Sequence, residues 1–317
     1  MARIVIPDDF PQVMAPSPSY RRFAVERQVN YFDSLPGSED RLIERIQNAE
    51  VVINIRSSSK FTAPVLESCP SLRLLSLWGT GTDNVDLASA SRLGITVTNT
   101  PAVAAVSIAE HCLALMLAVA RRIPQIDSET RGGAWPRGQT TQMSGKTLGV
   151  IGLGAIGSRF ARLGEAVGMK VNCWTMHPDT KPGFTLVPLE YLLAESDVVS
   201  LHLRLSADTH RFLSRARLAQ MKSSAILINT ARGAIVDEAA LVEALQEKRL
   251  AGAGLDVFEV EPLPAGHALT KLDNVVLSPH SAGVTPEALE AGLALALDNV
   301  ESFLAGKPQH VVAAPAA

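Results

Sequence analysis

From end to end the chain alternates short apolar, β-branched runs with stretches whose apolar residues recur every three or four positions. Runs at 3–6, 51–55, 74–77 and 95–98 read as strands, and residues 39–48 between them have helical spacing. Strand and helix in repeated succession are the mark of parallel βαβ units, so this part predicts one small parallel sheet. A second series starts at 147–151 and continues at 170–174, 198–202, 225–229, 252–256 and 275–278, enough for a six-stranded doubly wound sheet.

Between the two series, residues 101–122 carry a proline near the start, no glycine and two arginines at the end. That is the pattern of one long helix, placed to bridge the domains. A final helix opens at Thr285-Pro286-Glu287, where Thr285 can cap and Pro286 can sit in the first turn, and fades near Gly306-Lys307-Pro308. It follows the second sheet in sequence but is expected to pack on the first. Residues 313–317 have nothing to bury and are expected to fray.

Composition sharpens this picture. At 317 residues and 47% hydrophobic content, two domains can each bury a core. Twenty-nine Lys and Arg against 32 Asp and Glu leave a net charge of −3, with no basic run to track phosphates, so no nucleic-acid partner is expected. Cys69, Cys112 and Cys173 are odd in number and lack metal-ligand spacing; they read as reduced thiols, with neither disulfide framework nor metal. The start turns acidic too soon for a signal peptide, and the longest apolar stretch, 112–120, is too short to cross a bilayer. A soluble, cytoplasmic protein is expected.

The chemistry starts at the second series. The strand at 147–151 runs into Gly152-Leu153-Gly154-Ala155-Ile156-Gly157 and then a helical segment. Three glycines in this context suit a tight turn, close approach to a pyrophosphate and tight helix–strand packing, with the helix N-terminus holding the phosphates. A nicotinamide dinucleotide is the expected cofactor. The next strand would end in Asp or Glu to grip the ribose of NAD, but it ends in Thr175. Only His177 and Lys181 nearby offer a cation for a 2′-phosphate, so NAD and NADP both stay open.

Three further strands run directly into polar residues, where ligands collect in open α/β sheets. They lead to Asn229-Thr230-Ala231-Arg232-Gly233, to Asp256-Val257-Phe258-Glu259-Val260-Glu261-Pro262, and to Ser278-Pro279-His280. An arginine, a glutamate and a histidine thus meet at one sheet edge. Glu259 is the weaker acid candidate, because it points away from Glu261 if the segment is extended. His111 and His202 read as packing histidines, and His177, His210, His267 and His310 as loop or surface residues. Arg56 follows a strand of the first series and is a candidate for a substrate phosphate or second carboxylate. Trp78 reads equally as core filling or pocket wall.

These stretches, with Trp78-Gly79-Thr80-Gly81-Thr82-Asp83-Asn84-Val85-Asp86, Asn99-Thr100-Pro101 and Ala109-Glu110-His111, make the chain resemble the D-isomer-specific 2-hydroxyacid dehydrogenase family over nearly its whole length. That family includes phosphoglycerate dehydrogenases and glyoxylate/hydroxypyruvate reductases. The resemblance implies a Rossmann dinucleotide-binding domain at 101–282, inserted into a flavodoxin-like substrate domain built from 1–100 and 283–317. It implies that Arg232 binds the substrate carboxylate and carbonyl, that His280 donates the proton to the carbonyl oxygen, and that Glu261 orients the imidazole and favours its charged form.

By the same resemblance Asp256 would contact the nicotinamide carboxamide. Thr230, Ala231, Arg232, His280 and Gly283 would line the cofactor together with Gly152, Gly154, Ala155, Ile156, Gly157 and Thr175. The backbone of Gly79, Thr80 and Gly81 would meet the substrate carboxylate, with Arg56 and Trp78 around it. The substrate is then a small 2-oxo or 2-hydroxy acid, and the protein a homodimer joined through residues 101–135, which end in Trp135. The alternative from another class is a dinucleotide-sensing protein with little turnover, like the transcriptional corepressors that share this fold. Because Ala317 follows closely on the last helix, no appended regulatory domain and no inhibition by serine are expected.

Overall fold

The structure, a computed structural model, describes residues 2–178 and 183–315. It divides into two compact units, one running to Ala104 and resuming at Val284, the other covering Ala105–Gly283. In chain order the first unit contains β1 (Ile4–Ile6), α1 (Pro18–Glu26), β2 (Val29–Tyr31), α2 (Glu39–Ile46), β3 (Val51–Asn54), α3 (Ala63–Glu67), β4 (Leu74–Leu77), α4 (Leu87–Arg92) and β5 (Thr96–Thr98). The second contains α5 (Ala105–Arg121), α6 (Ile123–Arg131), β6 (Thr147–Ile151), α7 (Ala155–Ala166), β7 (Lys170–Trp174) and α8 (Leu189–Glu195). It continues through β8 (Val198–Leu201), α9 (Arg215–Leu218), β9 (Ile226–Asn229), α10 (Glu238–Gln246), β10 (Gly252–Leu255) and β11 (Val275–Leu277). The first unit then resumes with α11 (Pro286–Leu304) and β12 (Val311–Ala313).

Both units are doubly wound α/β, as the alternation predicts. In the first the strand order is β12-β5-β4-β3-β1-β2, with β12 antiparallel to β5 and the other pairs parallel. Without β12 this is the flavodoxin-like order, whose switch point falls between β1 and β3. Strands β1, β3, β4 and β5 are buried at every position, which is why they are legible as continuous apolar runs. Helix α11 begins where the sequence places it: Thr285 Oγ1 accepts from the Ala288 amide at 3.2 Å, and Pro286 holds the first position. Its buried face, including Leu293, Ala296, Leu297 and Val300, joins Ile4, Ile6, Ile53 and Leu74 in one core.

Four expectations need correction. Strand β2 was not anticipated, because Val29-Asn30-Tyr31 is short and only partly buried; it exists by pairing with the edge of β1. Ala313, expected to open a frayed tail over 313–317, instead closes the unanticipated strand β12, in which Val311 lies opposite Thr98. The long helix starts at Ala105 rather than at 101, after Ala102 takes a left-handed φ of 64°, and Arg122, at φ 51°, separates it from α6. It belongs wholly to the second unit, whereas the sequence had set it between the domains.

The second unit orders its strands β11-β10-β9-β8-β6-β7, all parallel. Beyond β7, Cys173 bridges Leu186, with its amide donating to Thr185 O at 2.8 Å and the Val187 amide donating to its carbonyl at 3.0 Å. The usual dinucleotide-binding order puts a third strand at this place. Here that strand is reduced to a single bridge, too short to register as a run.

Candidate active site

The glycine turn links β6 to α7. Gly152 has a φ of 100°, and a Cβ there would come within 2.6 Å of the His202 carbonyl oxygen, so this position requires glycine on both counts. A Cβ on Gly157 would lie 1.9 Å from Gly152 O, which is the tight packing the motif demands. Gly154, the N-cap of α7, is different: a Cβ there would meet nothing within 4 Å. The space lies at the start of a twelve-residue helix, whose first amides favour an anion, so the turn fits a pyrophosphate. Thr175 follows β7 directly, and the Gly152 amide donates to the neighbouring Trp174 carbonyl at 2.8 Å, which puts Thr175 beside the turn. Thr175 Oγ1 accepts from the His177 amide at 3.3 Å. Lys181 lies outside the described residues.

The three polar strand ends of this unit converge. Asn229, the last residue of β9, accepts from the Ala231 amide and donates to the Arg232 carbonyl, each at 3.0 Å. This side-chain turn shapes the loop that presents Arg232, whose Nη1 donates to Ala231 O at 2.8 Å. Gly233 follows because a Cβ there would come within 1.9 Å of the Phe258 carbonyl carbon, so the loops after β9 and β10 touch backbone to backbone.

Glu261 then accepts from the Phe258 amide (3.0 Å) through Oε1 and from His280 Nδ1 (2.7 Å) through Oε2. Burial works against its charge, but the bonds from His280 and Phe258 and the nearby Arg232 guanidinium prevail and hold its carboxyl below the usual range. A carboxylate only accepts, so Nδ1 of His280 carries a hydrogen and Nε2 remains for other chemistry. Glu259 turns instead to Arg211, 3.2 Å away.

His280 sits just after β11 at a left-handed φ of 52°, a conformation unusual for a residue with a side chain. Its amide donates to the Asp256 carbonyl at 2.7 Å. The Asp256 carboxylate is buried and accepts from Ser278 Oγ (2.6 Å) and from the amides of Ser281 and Ala282 (both 2.9 Å). Ser278 Oγ also meets His111 Nε2 from α5 at 2.8 Å. His111, expected as a packing histidine, is thus tied to Ser278, and neither residue carries a local signal that would link them. Thr230 Oγ1 lies 3.1 Å from the buried Cys112 thiol, which burial pushes up to about 12. His202 is a packing residue as expected: it bonds Ser200 Oγ at 2.9 Å, and burial pushes its imidazole down to about 3. His267 and His310, expected to lack partners, meet Glu238 at 3.4 Å and Asn299 at 2.9 Å.

In the first unit the expected substrate residues follow β3 and β4. Arg56 donates from Nη2 to the Pro11 carbonyl, its Nε is buried without a partner, and its amide donates to the buried Asp8 carboxylate at 3.2 Å. Asp8 also accepts from Asn54 Nδ2 (2.5 Å) and the Ile55 amide (3.0 Å), and Asn84 Nδ2 donates to Asn54 Oδ1 (3.0 Å). Burial raises the Asp8 carboxyl above its ordinary value despite these donors. Trp78 packs against the α11 core, its indole filling a notch that a Cβ on Gly292 would close, at 2.2 Å from Nε1. Gly79 takes a φ of 127° and its amide donates to Thr100 Oγ1 at 2.7 Å.

A doubly wound unit with a glycine cradle after its first strand defines a dinucleotide-binding protein. The profile of the D-isomer specific 2-hydroxyacid dehydrogenase NAD binding domain matches residues 113–282. A glyoxylate reductase of Korarchaeum cryptofilum is 38% identical over 291 residues, covering 88% of this chain and 87% of that one. A glycerate dehydrogenase of Methylorubrum extorquens is 39% identical, covering 93% and 95% of the two chains. The structure of an Aquifex aeolicus D-lactate dehydrogenase complexed with NAD and lactic acid superposes with a TM-score of 0.87 at 31% identity, covering 99% and 100%. The chain belongs to the D-isomer specific 2-hydroxyacid dehydrogenase family, as an oxidoreductase that works with a nicotinamide dinucleotide. Among the described residues no helix is long and apolar enough to cross a membrane.

Proposed function

We propose that the chain interconverts a small D-2-hydroxy acid and its 2-oxo acid, with His280 as acid and base, Glu261 as its orienting carboxylate and Arg232 as the anchor for the substrate carboxylate. The observation that carries this reading is the 2.7 Å bond between His280 Nδ1 and Glu261 Oε2. It leaves Nε2 to hand a proton to the carbonyl oxygen in reduction and to take one from the hydroxyl in oxidation. The planar guanidinium of Arg232 suits a 2-oxo acid, where a carboxylate and a carbonyl lie side by side.

The bound dinucleotide would supply the hydride in reduction and accept it in oxidation. Gly152, Gly154, Ala155, Ile156 and Gly157 would hold its phosphates, Thr175 its ribose, and Thr230, Ala231, Arg232, Asp256, His280 and Gly283 its nicotinamide half. Thr175 lacks the charge that would repel a 2′-phosphate, so we propose that NADP is accepted as well as NAD. In the first unit the Gly79 amide is already engaged, so the Thr80 and Gly81 amides would meet the substrate carboxylate. Arg56 and Trp78 would border that turn.

The related glyoxylate reductase and D-lactate dehydrogenase argue for a short substrate side chain. A homodimer is supported by the surface after α5: Trp135 is 76% exposed, and α6 buries none of its residues. Steady-state reduction of glyoxylate, hydroxypyruvate, 3-phosphohydroxypyruvate and pyruvate, each with NADH and NADPH, tests the reading. Turnover of at least one is expected, and dinucleotide binding without turnover of any would favour the sensor instead.

A further inference from the structure

Three side chains in the second unit form a connected chain that the proposed proton transfer does not itself use. His111 Nε2 lies 2.8 Å from Ser278 Oγ, and Ser278 Oγ lies 2.6 Å from Asp256 Oδ1. Asp256 in turn accepts from the Ser281 and Ala282 amides through its side chain and from the His280 amide through its carbonyl. The directions follow from the inventory of donors. A buried carboxylate accepts, so the single hydroxyl hydrogen of Ser278 goes to Asp256. The serine oxygen must then accept from His111, whose Nε2 carries the hydrogen.

This chain surrounds His280, whose backbone is held in a left-handed conformation although it carries a side chain. His280 at φ 52° has no glycine to ease it, and conformations of this kind persist when their surroundings over-determine them. The segment 278–282 is pinned to Asp256 at four of its five residues, Ser278, His280, Ser281 and Ala282. The Asp256 carboxylate is thus the peg, and the Ser278 hydroxyl sets its rotation. His111, anchored on the rigid α5 and 3.7 Å from the same carboxylate oxygen, is the outermost member and the only one contributed by a helix.

We propose that His111 is a positioning residue for His280, acting through Ser278 and Asp256. It makes no contact with the reacting atoms. Its Nε2–H fixes the serine hydroxyl, the hydroxyl and the two amides fix the carboxylate, and the carboxylate with its own carbonyl fixes the backbone from which the His280 imidazole reaches Glu261. The proposal rests on the reading of His280 as the proton donor, and whatever Asp256 offers a dinucleotide is compatible with it.

The test compares His111→Leu, His111→Gln and Ser278→Ala in the full chain, with glyoxylate or hydroxypyruvate as oxidant and NADH or NADPH as reductant. Gln keeps an N–H donor near the position of the imidazole Nε2, whereas Leu keeps only bulk. Misplacing a proton donor by a fraction of an ångström is expected to lower kcat about tenfold in His111→Leu. The solvent deuterium isotope effect on kcat should rise, because proton transfer becomes more limiting. KM and dinucleotide affinity should stay within about twofold. His111→Gln should recover most of kcat, and Ser278→Ala, which deletes one atom and can be expected to fold, should match His111→Leu. The double variant His111→Leu/Ser278→Ala should be no worse than either single one.

A packing role for His111 would lower Tm and leave the isotope effect unmoved. Wild-type kcat and isotope effect in Ser278→Ala, or His111→Gln as impaired as His111→Leu, would overturn the proposal. His280→Ala run in parallel separates the two levels. If it retains near-normal turnover, the acid–base reading itself fails; if it loses turnover while Ser278→Ala does not, only the positioning role fails.

Discussion

At the carboxyl edge of the first sheet, the polar residues that follow the strands are withdrawn from solvent: Asp8 is 0%, Asn54 3% and Asn84 6% exposed. At the same edge of the second sheet, the His280 and Glu261 side chains keep 39% and 33% of their exposure. The two edges share a topology and a run of polar residues after buried strands. They differ in what those residues bond to. Asp8, Asn54, Asn84 and the backbone of Ile55 and Arg56 satisfy one another, and the guanidinium of Arg56 is tied back to Pro11. In the second unit the support is one layer further back. Asn229 and Asp256 take the structural bonds that shape the loops presenting Arg232 and His280. A polar residue after a strand becomes a site only when a neighbour does its structural work for it.

The carboxylates of the two edges show the same contrast in their titration. Asp8 is raised by burial, so its contribution to stability is fully present below the ordinary carboxyl value and is lost as pH rises through the folded one. Glu261 is lowered by His280, Phe258 and Arg232 acting against burial. Its contribution is present above the ordinary value and is lost as pH falls through the folded one.

The comparison would break most visibly at His280. His280→Ala should lower reduction by about 10²–10⁴-fold, the usual worth of general acid–base catalysis, while fluorescence titration still shows dinucleotide binding at the glycine turn. At the first edge the expected loss is stability instead. Asn54→Ala leaves the Asp8 carboxylate and the Asn84 amide short of a buried partner and should cost about 1–3 kcal/mol in urea denaturation. Turnover per folded molecule should stay within about twofold of wild type. A stable Asn54→Ala with impaired turnover would mean that the buried network is part of the site after all.

Smaller effects sharpen the second edge. Thr175→Asp adds an acceptor for the ribose hydroxyls and a charge that repels a 2′-phosphate. The ratio of kcat/KM with NADH to that with NADPH should rise about tenfold, roughly 1.4 kcal/mol. An unchanged ratio would remove Thr175 from the ribose site. Glu261→Gln keeps the shape of the pair and withdraws its negative charge. Because Glu261 is held below the usual carboxyl range, it stays charged across neutral and alkaline pH. The difference in Tm between Glu261→Gln and wild type should be present at neutral pH and close as pH falls through the lowered Glu261 value.

Much of this protein can be read from local order alone. Strands buried on both faces show as apolar runs, the glycine turn shows because Gly152 and Gly157 admit no side chain, and the arginine, glutamate and histidine show because each lies in the segment that follows a strand. Period, backbone freedom and position after a strand are properties of neighbouring residues, and a sequence states them directly. Other features depend on partners distant in the chain. Val29–Tyr31 and Val311–Ala313 become strands only because an open edge of the first sheet accepts them, and Leu186 makes its bridge only beside Cys173. His111 and Ser278 stand 167 positions apart, and no periodicity links them; the packing of α5 against the sheet brings them within hydrogen-bond distance. Arg56 and Arg232 look alike as arginines after a strand, and their partners separate them. The chain's own Asp8 and Pro11 engage the first, while Asn229 shapes the loop that presents the second, a difference that only the tertiary structure decided.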